Sequence, residues 1–346
     1  MKTSAISSLA VSLALRNSTA RLQGSLPGLQ QEVVNGKHND VGLALGAETR
    51  KLASFVADID HTQRLIDTNE QVGTRLTATQ ESMTRMNNLA DELTNAVGIV
   101  MGHSGQNYAA RQTAENVIAE MTSILNTQVN GVFVFSGLNA DEKPMSDYET
   151  GGAKAAFDTA FQTYFGFGKN DAAAASITRA QIDDFMTTQV EPMFLGAGWN
   201  TNMSSATDEV MVSRISAEVT ANTSVSANES SFRHLMLASV VATELYDSAM
   251  GAEAISGVSE YVISNAGTAA GSLTELQGQV GLVQERVERA NEALISQKSL
   301  LETFASELES VDPYEKSIEL NTLLTQIEVS YSVTARIQQL SLMNYL

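Results

Sequence analysis

Two long stretches of the chain carry apolar residues at alternating three- and four-residue steps. In the first, Leu65, Val72, Leu76, Met83, Met86, Ala90, Leu93, Val97 and Val100 keep that spacing once Asn69 and Thr79 are admitted as polar members of the seam. In the second, Leu273, Leu276, Val280, Val283, Val287, Ala290, Leu294, Gln297, Leu301, Phe304 and Leu308 keep it without a slip. A 3–4 repeat sustained this far predicts helices that pack one stripe against a partner helix, as in coiled coils and bundles. At 1.5 Å per residue the first of them implies a rod of roughly 50 Å or more.

Shorter helical patterns flank these two. One covers about Asn107 to Gln128, with Ala110, Ala114, Val117, Met121 and Ile124 on one face; another runs from about Ser231 to Gly251, with Phe232, Leu235, Met236, Val240 and Leu245 spaced alike. The first twenty-odd residues place Ile6, Leu9 and Leu13 on one face, and Asn321–Leu346 reads as an amphipathic helix finishing on Leu340, Leu342, Met343, Tyr345 and Leu346. Gly24 and Pro27 predict an interruption of the first helix, because proline removes a donor and clashes with the preceding turn. Asn35-Gly36 predicts a turn, Val41–Gly46 an extended or turn connector, and Asp312-Pro313 a break before the last helix. Residues 131–137 (GVFVFSG) suit a strand. From 138 to 228 the heptads vanish, and the alternation in Glu209–Val219 and Thr220–Val225 predicts half-buried strands.

The fold class expected is therefore mainly α: an elongated antiparallel helical rod or bundle, a terminal coiled coil, and a mixed α/β insert. The expected division is residues 1–40 with 312–346 for the terminal pair, 41–137 with 229–311 for the rod, and 138–228 for an exposed insert. The rod core would be Leu76, Met83, Leu93 and Val97 against Leu276, Val280, Val283, Val287, Leu294 and Leu301.

Composition narrows the function. The formal net charge is −19, which disfavours nucleic acid and anionic membrane as partners. There are no cysteines, so disulfides and thiolate chemistry are excluded. No run approaches a membrane span. The start of the chain has the look of a secretory signal, but Ser4, Ser7, Ser8 and Ser12 interrupt the apolar run and Arg16 follows it, which favours an amphipathic helix. Asp58-Ile59-Asp60-His61 has metal-ligand residue types, yet adjacent helical positions face apart, so a solvated face is expected. His103 and His234 stand without a neighbouring nucleophile, Gly166–Lys169 lacks phosphate-loop spacing, and the sequons at Asn17, Asn202, Asn222 and Asn228 are short enough to arise by chance. Met83, Met86 and Met121 suit core filling. No catalytic or metal constellation and no cofactor is expected.

Three local motifs resemble those of the bacterial flagellin superfamily. Gln30–Asp40 (QQEVVNGKHND) is similar to the segment and turn closing its first helix. Val132–Asn139 (VFVFSGLN) is similar to its phenylalanine-rich strand and following turn, and Tyr331–Leu346 to its C-terminal tail. Together with the helix order, the likeness covers about residues 1–140 and 230–346. Within the superfamily it is nearer to the hook–filament junction proteins, because residues 38–44 (HNDVGLA) lack the Asp-Asp-Ala and Ser-Gly-Leu-Arg patterns of flagellins proper. The resemblance implies a non-enzymatic structural subunit. Ile6, Leu9 and Leu13 would face Leu320, Leu323, Leu324, Ile327, Tyr331 and Ile337, leaving Leu340, Leu342, Met343 and Leu346 for neighbouring subunits. It further implies hook-associated protein 1, flagellin and copies of the chain itself as partners, and an export chaperone on the last helix. Export would run through the flagellar type III channel without a cleaved signal. Flagellin itself is the same-class alternative; a secreted coiled-coil adhesin or effector binding through the insert is the alternative of another class.

Overall fold

The computed structural model describes residues 3–102 and 107–343, with side chains described for 10–101 and 107–339. The chain divides into two compact units, residues 1–63 with 295–346 and residues 64–294. The helices of the first unit are α1 (Thr3–Asn35), α2 (Val41–Leu45), the first part of α3 (Thr49–Gly102), the last part of α10 (Ala252–Glu309) and α11 (Pro313–Met343). The second unit holds the rest of α3 and α10, together with α4 (Asn107–Leu125), α5 (Ala153–Phe165), α6 (Arg179–Phe185), α7 (Glu191–Phe194), α8 (Gly198–Asn202) and α9 (Ser230–Leu245). Among the described residues the only sheets are two antiparallel pairs: β1 (Gln128–Val129) with β2 (Val132–Phe133), and β3 (Val212–Arg214) with β4 (Thr220–Asn222). The fold is mainly α, with long antiparallel helices and a small insert.

In the second unit every member of the first heptad series is buried, from Leu65 to Val100, Asn69 and Thr79 included. The polar members each make one bond: Asn69 Nδ2 donates to the distant Ile215 carbonyl at 2.9 Å, its buried Oδ1 having no hydrogen-bond partner, and the Thr79 hydroxyl donates to the Arg75 carbonyl of its own helix at 2.9 Å. α3 and α10 run antiparallel, since Gln284 reaches Thr77 while Gln277 reaches Thr84. Of the predicted rod core, Leu76, Met83, Leu93, Val97, Val280, Val287 and Leu294 are buried, and Leu276 and Val283 are half-buried against the same core. Beyond Leu294 the expected register is corrected. Gln297 and Phe304 are exposed, whereas Lys298, Leu301 and Leu308 are half-buried and Ala305 is buried. A straight helix has 3.6 residues per turn, so a strict seven-residue repeat drifts by about 20° per heptad. Two successive four-residue steps, 290–294–298, absorb that drift, so Lys298 and Ala305 take the places of Gln297 and Phe304 while Leu301 and Leu308 keep theirs.

α9 is buried on all sides, with Phe232, Leu235, Met236, Leu237, Val240, Val241 and Leu245 fully covered by α4, α7 and the segments around them. A helix apolar all round belongs inside a core. The insert shares this core through Phe157, Phe161 and Phe185, whose rings meet edge to face, and through Phe135 set edge-on to Phe232 at 5.6 Å. Its expected strands shrink to β3 and β4 of three residues each. The GVFVFSG run contributes two strand residues, because Val134 and Phe135 turn inward to the core and Gly137 starts a close turn.

A polar hub holds the insert in place. Asn228 accepts at Oδ1 from Trp199 Nε1 (2.8 Å) and Ser204 Oγ (2.7 Å), and donates from Nδ2 to the Ala206 carbonyl and to Asp208. That uses both donors and both acceptor positions of one amide. Arg233 of α9 donates to the carbonyls of Phe194 and Gly196 and stacks over the Trp199 ring. The buried Glu244 accepts from Tyr148 Oη at 2.9 Å and pairs with Lys169, which also pairs with Asp158 at 2.9 Å. The glycine-rich 166–169 stretch is thus the end of α5 and an anchor for α9.

Candidate assembly surface

Within the first unit α1 packs on α11. On α1 the seam follows Ser12, Leu15, Thr19, Leu22, Leu26, Leu29 and Val33 in 3–4 steps, with Ser18, Gly28 and Glu32 half-buried beside it. On α11 it follows Lys316, Leu320, Leu323, Ile327, Ser330, Thr334 and Ile337 with the same steps, and Ser317 is half-buried beside it. Glu32 beside Lys316 at one end and Gln23 beside Tyr331 further along make the pair antiparallel. Thr19 and Thr334 return their hydroxyls to their own helices, at the Leu15 and Ser330 carbonyls, so they sit in an apolar seam without an open hydrogen bond.

Leu320, Leu323, Ile327 and Ile337 therefore occupy the seam expected of them. Leu13, Leu324 and Tyr331 do not; their exposures are 50%, 39% and 53%. Leu13 is displaced because the heptad phase of α1 runs through Ser12 and Thr19, which a reading of apolar residues alone passes over. On α11 the polar Ser330 and Thr334 do the same. The side chains of Ile6, Leu9, Leu340, Leu342 and Met343, and the whole of Leu346, lie outside the described residues, as does His103.

One connector differs from expectation and another takes one of its two expected forms. α1 continues through Gly24 and Pro27 to Asn35. The proline ring is exposed, and Leu22, Leu26 and Leu29 pack on both sides of it, so tertiary burial offsets the roughly 3 kcal/mol that an interior proline costs. Val41–Leu45 is a helical turn rather than extended, capped by Asp40 Oδ1 accepting from Leu43 N at 2.9 Å.

The turn that closes α1 is pinned from the far end of the chain. Gly36 adopts φ +66°, which glycine tolerates best. Its carbonyl accepts from Val311 N (3.0 Å), His38 N donates to the Glu309 carbonyl (2.9 Å), and Lys37 Nζ pairs with Glu309 at 2.7 Å. Glu32 accepts from Asn39 N at 3.1 Å and lies 3.6 Å from Lys316, which also pairs with Glu319 at 2.9 Å. The Glu319 contact leads in raising the Lys316 pKa above the ordinary lysine value, against a small loss from burial.

Around this pair, large apolar side chains face solvent: Val11 and Leu13 on α1, Leu43 on α2, and Tyr314, Ile318, Leu324, Val329, Tyr331 and Val333 on α11. Asp58, Asp60, His61 and their neighbours lie on α3 with the two carboxylates and the imidazole exposed, and His234 Nδ1 sits 2.8 Å from Asn265 Oδ1. Among the described residues no group of three His, Asp or Glu side chains is placed to hold a metal ion, and no helix is long and apolar enough to cross a membrane.

Helices contributed by both ends of the chain, paired through a thin seam and carrying unburied apolar side chains, define a subunit built to be covered by other subunits. Residues 6–140 match the model of the bacterial flagellin N-terminal helical region, and residues 263–346 that of the bacterial flagellin C-terminal helical region. The chain belongs to the bacterial flagellin superfamily and is a structural component of the bacterial flagellum. Among solved structures it is similar to a Vibrio parahaemolyticus protein provisionally classed as flagellar hook-associated. The identity is 12%, the match covers 77% of this chain and 94% of that one, and the TM-score is 0.38. No curated protein matches the chain significantly. The family assignment rests on the two family models.

Proposed function

We propose that this chain is the subunit that joins the hook side of the flagellum to the filament. Its action is mechanical: the terminal helices enter a helical array of subunits, and the rest of the chain adapts one lattice to the next. The observation that carries this reading is the segment after α1. Residues 38–44 lead into the Asp40-capped helical turn Val41–Leu45 and carry neither of the short patterns expected there in flagellins proper. The proposed neighbours are hook-associated protein 1, flagellin and further copies of the chain, with a chaperone on α11 before export through the type III channel. The proposed working division is the terminal pair (1–40 with 312–346), the rod (41–137 with 229–311) and the insert (138–228). Leu340, Leu342, Met343 and Leu346 are proposed to meet neighbours.

The second reading, the filament subunit itself, is favoured by the names of the two family models, both flagellin regions. Deleting the gene separates them. Hooks without filaments, with flagellin shed into the medium, support the junction subunit. Purified chain that polymerises alone into long filaments supports flagellin and sinks the junction reading.

A further inference from the structure

A cavity of about 300 Å³ opens in the second unit where α4, residues 147–149 and α9 meet. That is the lower end of the range in which proteins hold small molecules. Ile118 of α4 and the ring of Tyr148 form its inner wall; both residues are buried, and Tyr148 Oη is spent on Glu244 at 2.9 Å. Glu115, Asp147 and Glu149 stand at its outer rim, in contact with water. One polar atom of the lining is unpaired. Thr243 of α9 is 5% exposed, and its hydroxyl has no hydrogen-bond partner. The other threonine of the lining, Thr122, donates to the Ile118 carbonyl at 2.8 Å. A buried hydroxyl without a partner is destabilising, so a ligand group that pairs with Thr243 makes a bond that folding left unmade.

The rim stays acidic after its ion pairs are counted. Arg111 is shared by Glu115 at 3.0 Å and Asp247 at 2.6 Å, Lys154 pairs with Glu149, and Lys143 acts on Asp147 through space. Four carboxylates thus face three cations. Hydrogen bonds from Thr150 hold the Asp147 carboxyl below the ordinary carboxylate range, so it remains ionised. Behind the inner wall, Glu244 and Asp158 outnumber Lys169 in the same sense. A cation at the rim is favoured there, and an anion is repelled.

We infer that this cavity binds a free short-chain amine: its ammonium meets the rim carboxylates, its stem lies on Ile118 and Tyr148, and a neutral hydrogen-bonding group at its far end pairs with Thr243. The charge belongs at the rim, because an ammonium beside Thr243 would be desolvated without a counterion. That orientation excludes the lysine side chain of a protein partner, which enters ammonium first. The site lies apart from the terminal helices, and it does not depend on whether the chain is a junction or a filament subunit.

The test titrates the purified full-length chain with aminopentanol, pentylamine, pentanediol and pentanoate by calorimetry at low salt, where surface charges act most strongly. Aminopentanol should bind tightest, and pentylamine roughly fivefold more weakly for want of one hydrogen bond. Pentanediol and pentanoate should not compete with either amine. Thr243→Val replaces an unpaired hydroxyl by a methyl group of the same shape, so folding is spared. In that variant the two amines should bind equally. Glu115→Gln combined with Glu149→Gln should weaken both amines roughly fivefold, as expected for two partly exposed ion pairs. Absence of binding by either amine overturns the site. Pentanediol binding as tightly as aminopentanol overturns the charged rim, and a difference between the amines that survives Thr243→Val overturns the pairing with Thr243.

Discussion

Gly137 shows how a single backbone position governs a larger piece of the molecule. It has φ +70°, and a Cβ there would fall 2.3 Å from Thr207 Oγ1 and 2.5 Å from the Thr207 carbonyl oxygen. The same threonine accepts the backbone N–H of Leu138 at 2.8 Å. Gly137→Ala therefore meets both a strained conformation and a backbone it cannot displace. The expected loss is about 2–4 kcal/mol from strain plus overpacking, read as a lowered denaturation midpoint. An unchanged midpoint would show that the 207–209 loop is not packed as described. Lys169 is the second such residue. Burial pulls its pKa down, but contacts with Glu244 and Asp158 outweigh this and leave it above the ordinary lysine value. A group raised on folding contributes stability that is complete below its unfolded pKa, about 10.4, and is lost as pH climbs through the folded value. Lys169→Met strands the buried Glu244, and should cost about 3 kcal/mol at pH 7, the low end for a broken buried pair because Asp158 is half exposed. The gap between variant and native protein should stay level from pH 7 to 10 and narrow above that. A gap already narrowing below pH 9 would mean that Lys169 is not the group responsible.

At the scale of helices, the seam beyond Leu294 gives a sharp contrast between neighbouring residues. Phe304 leans on Phe55 with ring centroids 5.9 Å apart yet stays 40% exposed, while Ala305 is buried. Phe304→Ala should cost about 1 kcal/mol or less. Ala305→Asp buries a carboxylate with no partner and should cost more than about 2 kcal/mol. Thermal melts of the two variants decide between the observed register and the uninterrupted heptad. The same comparison marks where sequence pattern was legible. The α3 series could be read to the residue, Asn69 and Thr79 included, because apolar positions dominate it and a polar member only fills a gap. The α1 seam could not, since Ser12 and Thr19 set its phase. α1 also keeps its course through Pro27, where packing outweighs local propensity. In the insert, Val132–Phe135 has strand-forming residues, but burial of Val134 and Phe135 in a shared helical core shortens the strand. The hub at Asn228 gave no sequence signal at all: its partners lie 20 to 29 residues away, and nothing in the residue types announces them.

For the whole molecule, the two units are built to different standards of burial. The second encloses one continuous core that runs from Val72 to Val287 and takes in most of α9. In the α1–α11 pair only Thr19 and Ile327 are buried among the described side chains, and the rest of the seam is half-covered. Each fully buried aliphatic side chain contributes roughly 1.5–3 kcal/mol, while every ordered residue costs about 1–2 kcal/mol of backbone entropy. A pair with so few buried positions opens locally far more often than a core helix does. Hydrogen exchange on the monomer should therefore show amides of residues 12–30 and 320–337 exchanging at least roughly a hundredfold faster than those of α9. In flagella the difference should largely disappear, as neighbours cover Val11, Leu13, Val329 and Val333. Equal protection of α1 and α9 in the monomer would mean that the terminal pair needs no partner to hold it. The exposed apolar side chains along α1 and α11 would then need another explanation than assembly.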